Sequence, residues 1–267
     1  MRPYPLLAAA LTAVLLAIGG PSPAFALNSS PQETSADLAE QNRMLSQRAT
    51  KAYLMALQGI NPAAARDILA DSTARLERNL ATLRTGKLDE ATRSKLADVD
   101  KTWAEVRVQL DAPPSTSGAL ALYDSTEALQ RATQHLAMAI NANAPEASRR
   151  LVLPSRMRAL SQRIAMHYLY RASGVLTPNA PEMELTYARG EFAANLYRAG
   201  KNDTYSPEAR EALSALSRLY PAYHNAAGKL DTPPSMLKNA PTVMTLSEQV
   251  LGATEKTVNA LLKPATP

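Results

Sequence analysis

Arg43-Met-Leu-Ser-Gln-Arg-Ala-Thr-Lys-Ala-Tyr-Leu54 is answered 115 residues later by Arg158-Ala-Leu-Ser-Gln-Arg-Ile-Ala-Met-His-Tyr-Leu169. The match runs on to Gly59 and Gly174. Further pieces recur in the same order. Leu83-Arg84-Thr85-Gly86 is answered by Tyr197-Arg198-Ala199-Gly200, and Asp111-Ala-Pro-Pro-Ser115 by Asp231-Thr-Pro-Pro-Ser235. Glu127 and Ala132-Thr133 are answered by Glu248 and Ala253-Thr254. The offsets drift between 114 and 121, as loop insertions cause, so the chain is a tandem repeat.

Each repeat reads as four helices. Punctuation by Gly59-Ile-Asn-Pro62, Gly86 and Asp111 to Pro114 predicts helices over 36–58, 63–84, 88–110 and 115–140. Gly174 to Pro181, Gly200 and Asp231 to Pro234 predict 155–173, 181–198, 207–228 and 241–262. Asn61-Pro62 and Ser206-Pro207 read as helix starts with Pro at the first position. Apolar spacing is helical, as in Leu76, Leu80 and Leu83 or Leu122, Leu129, Leu136 and Ile140. Short connections favour antiparallel neighbours. The expected fold is all-α: two tandem antiparallel four-helix bundles, packed on each other as an intrachain pseudo-dimer. The repeats divide at 27–145 and 146–267, joined by a linker from Asn141 to Pro154.

Residues 1–26 read as a signal peptide. A basic start at Arg2 precedes an apolar run from Leu6 to Ile18, and Ala24-Phe25-Ala26 supplies small residues for cleavage after Ala26. The expected location is the periplasm, with no membrane span after cleavage. Removing Arg2 leaves 28 basic and 24 acidic residues, mostly interspersed along helices. Arg149-Arg150 is the one adjacent basic pair in the mature chain, and no aromatics interleave it, so nucleic-acid binding is not expected. The absence of Cys excludes disulfides, Cys-ligated metals and thiol catalysis. His135, His167 and His224 show no ligand spacing, and His167 falls on the apolar stripe of its helix. A haem held by Met44 and His135 finds no support in the second repeat, where Ala159 and Lys256 stand. No phosphate loop or catalytic constellation is present, so neither an enzyme nor a cofactor is expected. Glu77 and Glu191 recur and read as surface partners of Arg84 and Arg198. Tyr53 and Tyr168 read as core or interface aromatics.

On a helix at 100° per residue, Arg43, Ser46, Gln47 and Thr50 share one stripe, opposite Leu45, Ala49, Ala52 and Ala56. The second repeat keeps Arg158, Ser161 and Gln162, with Ala165 in place of Thr50. A guanidinium, a hydroxyl and an amide pointing one way suit a planar anion. The competing reading is a solvent-facing polar stripe, and recurrence in both repeats favours function over it. Arg48 and Arg163 lie about 140° from their companion Arg and do not share its face.

This motif resembles the opening helix of the PilJ/NarX-type sensor domain of nitrate/nitrite sensor kinases and pilus chemotaxis transducers. The resemblance covers both repeats, though its specific part is the twelve residues quoted in each. It implies antiparallel four-helix bundles and a nitrate or nitrite gripped between two copies by the motif's first Arg, here Arg43 and Arg158. Ser46, Gln47, Ser161 and Gln162 join as candidate ligand-binding residues, with Arg48 and Arg163 as secondary candidates. The departures are two copies in one chain and no membrane helix or transmitter after them. The expected function is an exported sensor-like protein that binds a small anion between its repeats and reports to an envelope partner. The alternative is a ligand-independent structural or adaptor module for protein contact.

Overall fold

The computed structural model describes residues 34–142 and 150–263, which form eight helices. These are α1 (Ser35–Leu57), α2 (Pro62–Thr85), α3 (Glu90–Asp111), α4 (Thr116–Ala142), α5 (Val152–Ser173), α6 (Asn179–Gly200), α7 (Pro207–Ala227) and α8 (Pro233–Leu262). The signal peptide read at 1–26 and half of the linker, 143–149, lie outside the described residues. Among those residues, no helix is long and apolar enough to cross a membrane.

Local signals set the boundaries. Thr34, Asp89 and Ser206 accept hydrogen bonds from backbone N–H groups at the starts of α1, α3 and α7. Pro62 and Pro207 open α2 and α7, as the sequence predicts. The recurring Gly59 and Gly174 both adopt positive φ, at 67° and 66°, where α1 and α5 end. Their recurrence is therefore conformational. One boundary differs from expectation. α8 opens at Pro233, and Pro241 lies inside it. Pro233 fits the N-terminal turn, where no N–H partner is needed, and Pro241 is tolerated because the flanking turns are packed.

In the first repeat α1 packs on α2 and α4, and α3 packs on α4. The second repeat copies this: α5 packs on α6 and α8, and α7 on α8. The repeats join through α1 against α5. These two helices run parallel. Asp37 near the start of α1 meets Arg158 early in α5, and Gln58 past the end of α1 donates to the Leu169 carbonyl near the end of α5. The fold is thus all-α with an internal pseudo-two-fold axis along α1 and α5. Enclosure by three neighbours leaves neither helix a wet face. Every residue from Ala36 to Met55 is buried, as is every residue from Met157 to Tyr170. The solvent-facing reading of the Arg43 stripe is therefore overturned.

The recurring tyrosines pin the recurring Pro-Pro segments. Tyr53 Oη accepts from Ser115 N at 3.1 Å, and Tyr168 Oη donates to the Met236 carbonyl at 3.0 Å. Gly118 sits so close that a Cβ there would collide with the Tyr53 hydroxyl. The α2/α6 correspondence is shifted relative to the letter match. Gln41 accepts from Arg75 where Arg156 pairs with Glu191, and the buried Asn79 corresponds to the buried Asn195. Structural equivalence between α2 and α6 therefore runs at an offset of 116, which sets the buried Leu76, Asn79 and Leu83 against the buried Phe192, Asn195 and Ala199. Leu83 is accordingly buried while Tyr197 is exposed. The expected pairs of Glu77 with Arg84 and of Glu191 with Arg198 do not form. Glu77 reaches Arg107 on α3, Arg84 reaches Asp100, and Glu191 turns inward to Arg156.

Candidate functional site

The α1/α5 interface carries most of the buried charge among the described residues. Its framework is a pair of reciprocal contacts. Arg48 of the first repeat holds Glu248 of the second at 2.8 Å, and Arg163 of the second holds Glu127 of the first at 2.8 Å. The two arginines are equivalent in the repeat, and so are the two glutamates, so the interface is isologous within one chain. Each arginine also binds its own bundle, Arg48 to Asp71 at 2.5 Å and Arg163 to Glu184 at 2.7 Å. Burial disfavours the charge on both guanidinium groups. The carboxylates outweigh it and leave both pKa values raised. Conversely, burial would lift the Glu248 carboxyl, but Lys51 and Arg48 hold it down at about 2. Burial likewise opposes the Glu127 charge, and His167 and Arg163 hold that carboxyl at about 2. Arg48 and Arg163 therefore act as interface clamps.

The two halves then diverge. Lys51 is fully buried and donates to Gln162 Oε1 at 2.7 Å, Ser247 Oγ at 3.1 Å and Glu248 Oε1 at 2.5 Å. Burial pushes its pKa below the ordinary lysine value, Glu248 opposes that push, and Arg48 adds to it. Its equivalent in the second repeat is Met166. The second half instead places His167 beside Glu127, with Nε2 at 3.5 Å. His167 is fully buried, as its apolar-stripe position predicts, and burial pushes its pKa down. Its ring lies edge-on to Tyr123, with centroids 6.0 Å apart.

Arg43 and Arg158 differ in the same way. Both are buried in the interface. Arg158 is held by Asp37 across the interface and by Glu255 at 3.2 Å, with Ser155 at 3.1 Å. Glu40 also favours its charge. Arg43 has one carboxylate partner, Glu40 of its own helix at 3.0 Å, and its Nε is buried without a hydrogen-bond partner. Val152 and Gln134 stand at the positions matching Asp37 and Glu255, which explains the difference. Ser46 and Ser161 donate to the carbonyls of Arg43 and Arg158, so neither hydroxyl proton is free for a ligand.

The glutamines complete the asymmetry. Gln162 accepts from Lys51 and donates to the Ser247 carbonyl at 3.1 Å. Gln47 has no such ammonium opposite, and both its amide atoms are buried without a partner. Gln47 and Arg43 line a cavity of about 130 Å³ between α1, α4, α5 and α6. Gln130 and Gln134, Arg156 and Arg163, and Tyr187 also line it, with Glu184 and Glu191 engaged by those arginines. Such a volume holds a few waters or a small polyatomic ion. Arg158, Ser161 and Gln162 do not border it. Lys51, Glu127, Glu248, Asp37 and Glu255 were not among the expected site residues. Comparing the repeats for charges gained or lost at matched positions signals all but the two recurring glutamates.

Residues 37–129 match the family model described as type IV pili methyl-accepting chemotaxis transducer N-term, PilJ. That family is sensory and non-catalytic. The match spans α1 to α3 and the first half of α4, and so contains Arg43, Gln47, Arg48, Lys51 and Glu127. No curated protein and no solved structure matches the chain.

Proposed function

We propose that this protein is a periplasmic sensor module that binds one small oxyanion, nitrate or nitrite in the first instance, in the cavity beside Arg43 and Gln47. The observation that carries this reading is a buried guanidinium Nε and a buried amide, both unpartnered, bordering one polar cavity between the repeats. A trigonal oxyanion accepts from Arg43 Nε and Gln47 Nε2 together, and two buried donors are costly to leave unsatisfied. Because the cavity draws walls from both repeats, occupancy favours one packing of α1 on α5. An envelope partner reads that population shift. The matched family is sensory, which supports the reading.

Thermal unfolding of the purified protein in nitrate, nitrite, sulfate and chloride at equal ionic strength tests it. A ligand at 100 times its Kd adds about 2.7 kcal/mol, on the order of 5 °C or more at this size. The reading predicts a rise with nitrate or nitrite that chloride does not give and that Arg43→Ala abolishes. No selective rise at millimolar anion overturns it and favours the adaptor alternative, in which partner binding survives Arg43→Ala.

A further inference from the structure

The described residues expose six large apolar side chains, and three of them, Met183, Tyr187 and Tyr197, lie on one helix, α6. They share one stripe. Met183, Tyr187, Gly190, Ala194 and Tyr197 follow each other at alternating steps of four and three, the spacing of a helix–helix seam. All five are exposed, with Tyr197 at 69% and Met183 at 66%. The equivalent face of α2, read at the structural offset of 116, is Asp67, Asp71, Ala74, Arg78 and Ala81. The first repeat thus carries three charged residues and two alanines at the positions where the second presents a Met, two Tyr, a Gly and an Ala. Shared ancestry of the repeats does not account for an apolar face on one copy alone.

We propose that this face of α6 is the contact between two copies of the chain, with α6 packed antiparallel on α6 of the second copy and Gly190 at the crossing. Three observations select that occupant. The interface that repeats of this kind offer each other, α1 against α5, is consumed within the chain, so a second copy needs another surface. The stripe is self-complementary about Gly190. Antiparallel pairing sets Met183 against Tyr197 and Tyr187 against Ala194, large against small in the middle, where Gly190 has open space for a neighbouring backbone. Charge sets the direction. Glu182, which also reaches Arg171 but stays half exposed, lies at the N-terminal end of the stripe, and Arg198 and Lys201 at the C-terminal end, where neither has an ion-pair partner among the described residues. Antiparallel packing brings the acidic end over the basic end, and parallel packing stacks like on like. Tyr187 lines both this face and the inner cavity, so the second copy covers that side of the cavity's wall.

The test is the mass of the purified protein by analytical ultracentrifugation, combined with cysteine cross-linking. The chain has no Cys, so each introduced thiol is unique. A single-helix seam is small, so the measurement runs up to about 300 μM, where interfaces below ~800 Å² per partner still associate. The expected result is a concentration-dependent dimer that Gly190→Arg converts to a folded monomer. That substitution meets no atom of its own chain within 4 Å at Cβ. Gly190→Cys cross-links on oxidation. Met183→Cys does not, because antiparallel pairing separates the two thiols by about 21 Å, 14 residues at the helical rise. A monomer at every concentration, a dimer that survives Gly190→Arg, or efficient cross-linking of Met183→Cys overturns the proposal. The cross-links keep the test decisive even if Gly190→Arg unfolds. Anion binding is read separately, so either conclusion can fail alone.

Discussion

Replacing Glu248 by Gln removes the one carboxylate that Arg48 and Lys51 share. Arg48 keeps Asp71 at 2.5 Å, which is a third exposed, but Lys51 keeps only the neutral Gln162 and Ser247. The folded state therefore holds a buried ammonium with no counter-charge. Two routes give the magnitude. Breaking a buried ion pair by removing one partner costs about 3–5 kcal/mol. Holding a carboxyl at about 2 when the unfolded chain has 4.5 corresponds to roughly 3 kcal/mol at neutral pH. At 2–4 °C per kcal/mol, Glu248→Gln lowers Tm by roughly 6–12 °C at pH 7. Lys51→Met installs the residue the second repeat uses at that position. It costs less, because Glu248 keeps Arg48 through both Nε and Nη2. In the double variant the stranded ammonium is gone, so Lys51→Met recovers part of the Glu248→Gln loss. Circular dichroism melts of the four proteins measure this. A Glu248→Gln loss below about 1 kcal/mol, or strict additivity in the cycle, refutes the reasoning.

Further outcomes follow from the same contacts. Glu127 and Glu248 both have depressed folded values, so their stabilisation is full above the unfolded value of 4.5 and is lost as pH falls toward about 2. Burial also lowers His167, so charging it works against the fold below its ordinary value of 6.5. Urea titrations should therefore show stability falling steeply between about pH 5 and pH 3, and Glu127→Gln, Glu248→Gln flattening that fall. Gly118→Ala should destabilise by about 1–3 kcal/mol in chemical denaturation, although Ala is the better helix former, because its methyl meets the Tyr53 hydroxyl. Tyr53→Phe in the same chain should recover part of that loss. Gly252→Ala, inside α8 with nothing within 4 Å of the new Cβ, should stabilise by roughly 0.5–1 kcal/mol.

Much of the scaffold is legible in the sequence. Gly59 and Gly174 mark equivalent helix ends, Pro62 and Pro207 mark helix starts, and Tyr53 and Tyr168 mark buried anchors, because each acts over a few residues or by its volume. Pro241 misleads, because a proline inside a 30-residue helix reads locally like a start. The site is less legible. The Arg43 stripe is identified by helical geometry, but the partners of α1 lie up to 200 residues away, as Glu248 does from Arg48. No periodicity announces that α1 is enclosed on every side, so its polar stripe reads as equally fit for solvent. The asymmetry is written in the repeat comparison, in Lys51 against Met166 and Asp37 against Val152, and it becomes visible once the interface is known to be isologous. The α2/α6 correspondence resists letter matching, because the strongest letters, Arg84-Thr85-Gly86 and Arg198-Ala199-Gly200, sit two residues out of structural register.

The central claim is that one half of the pseudo-symmetric interface is filled by the chain's own charges, and the other half, beside Arg43 and Gln47, takes a small anion. Titration calorimetry of the purified protein with nitrate and nitrite tests it most directly. The account predicts one anion bound per chain, lost in Arg43→Ala and in Gln47→Leu, with both variants still folded. Two equal sites per chain, or binding that survives both substitutions, would contradict it.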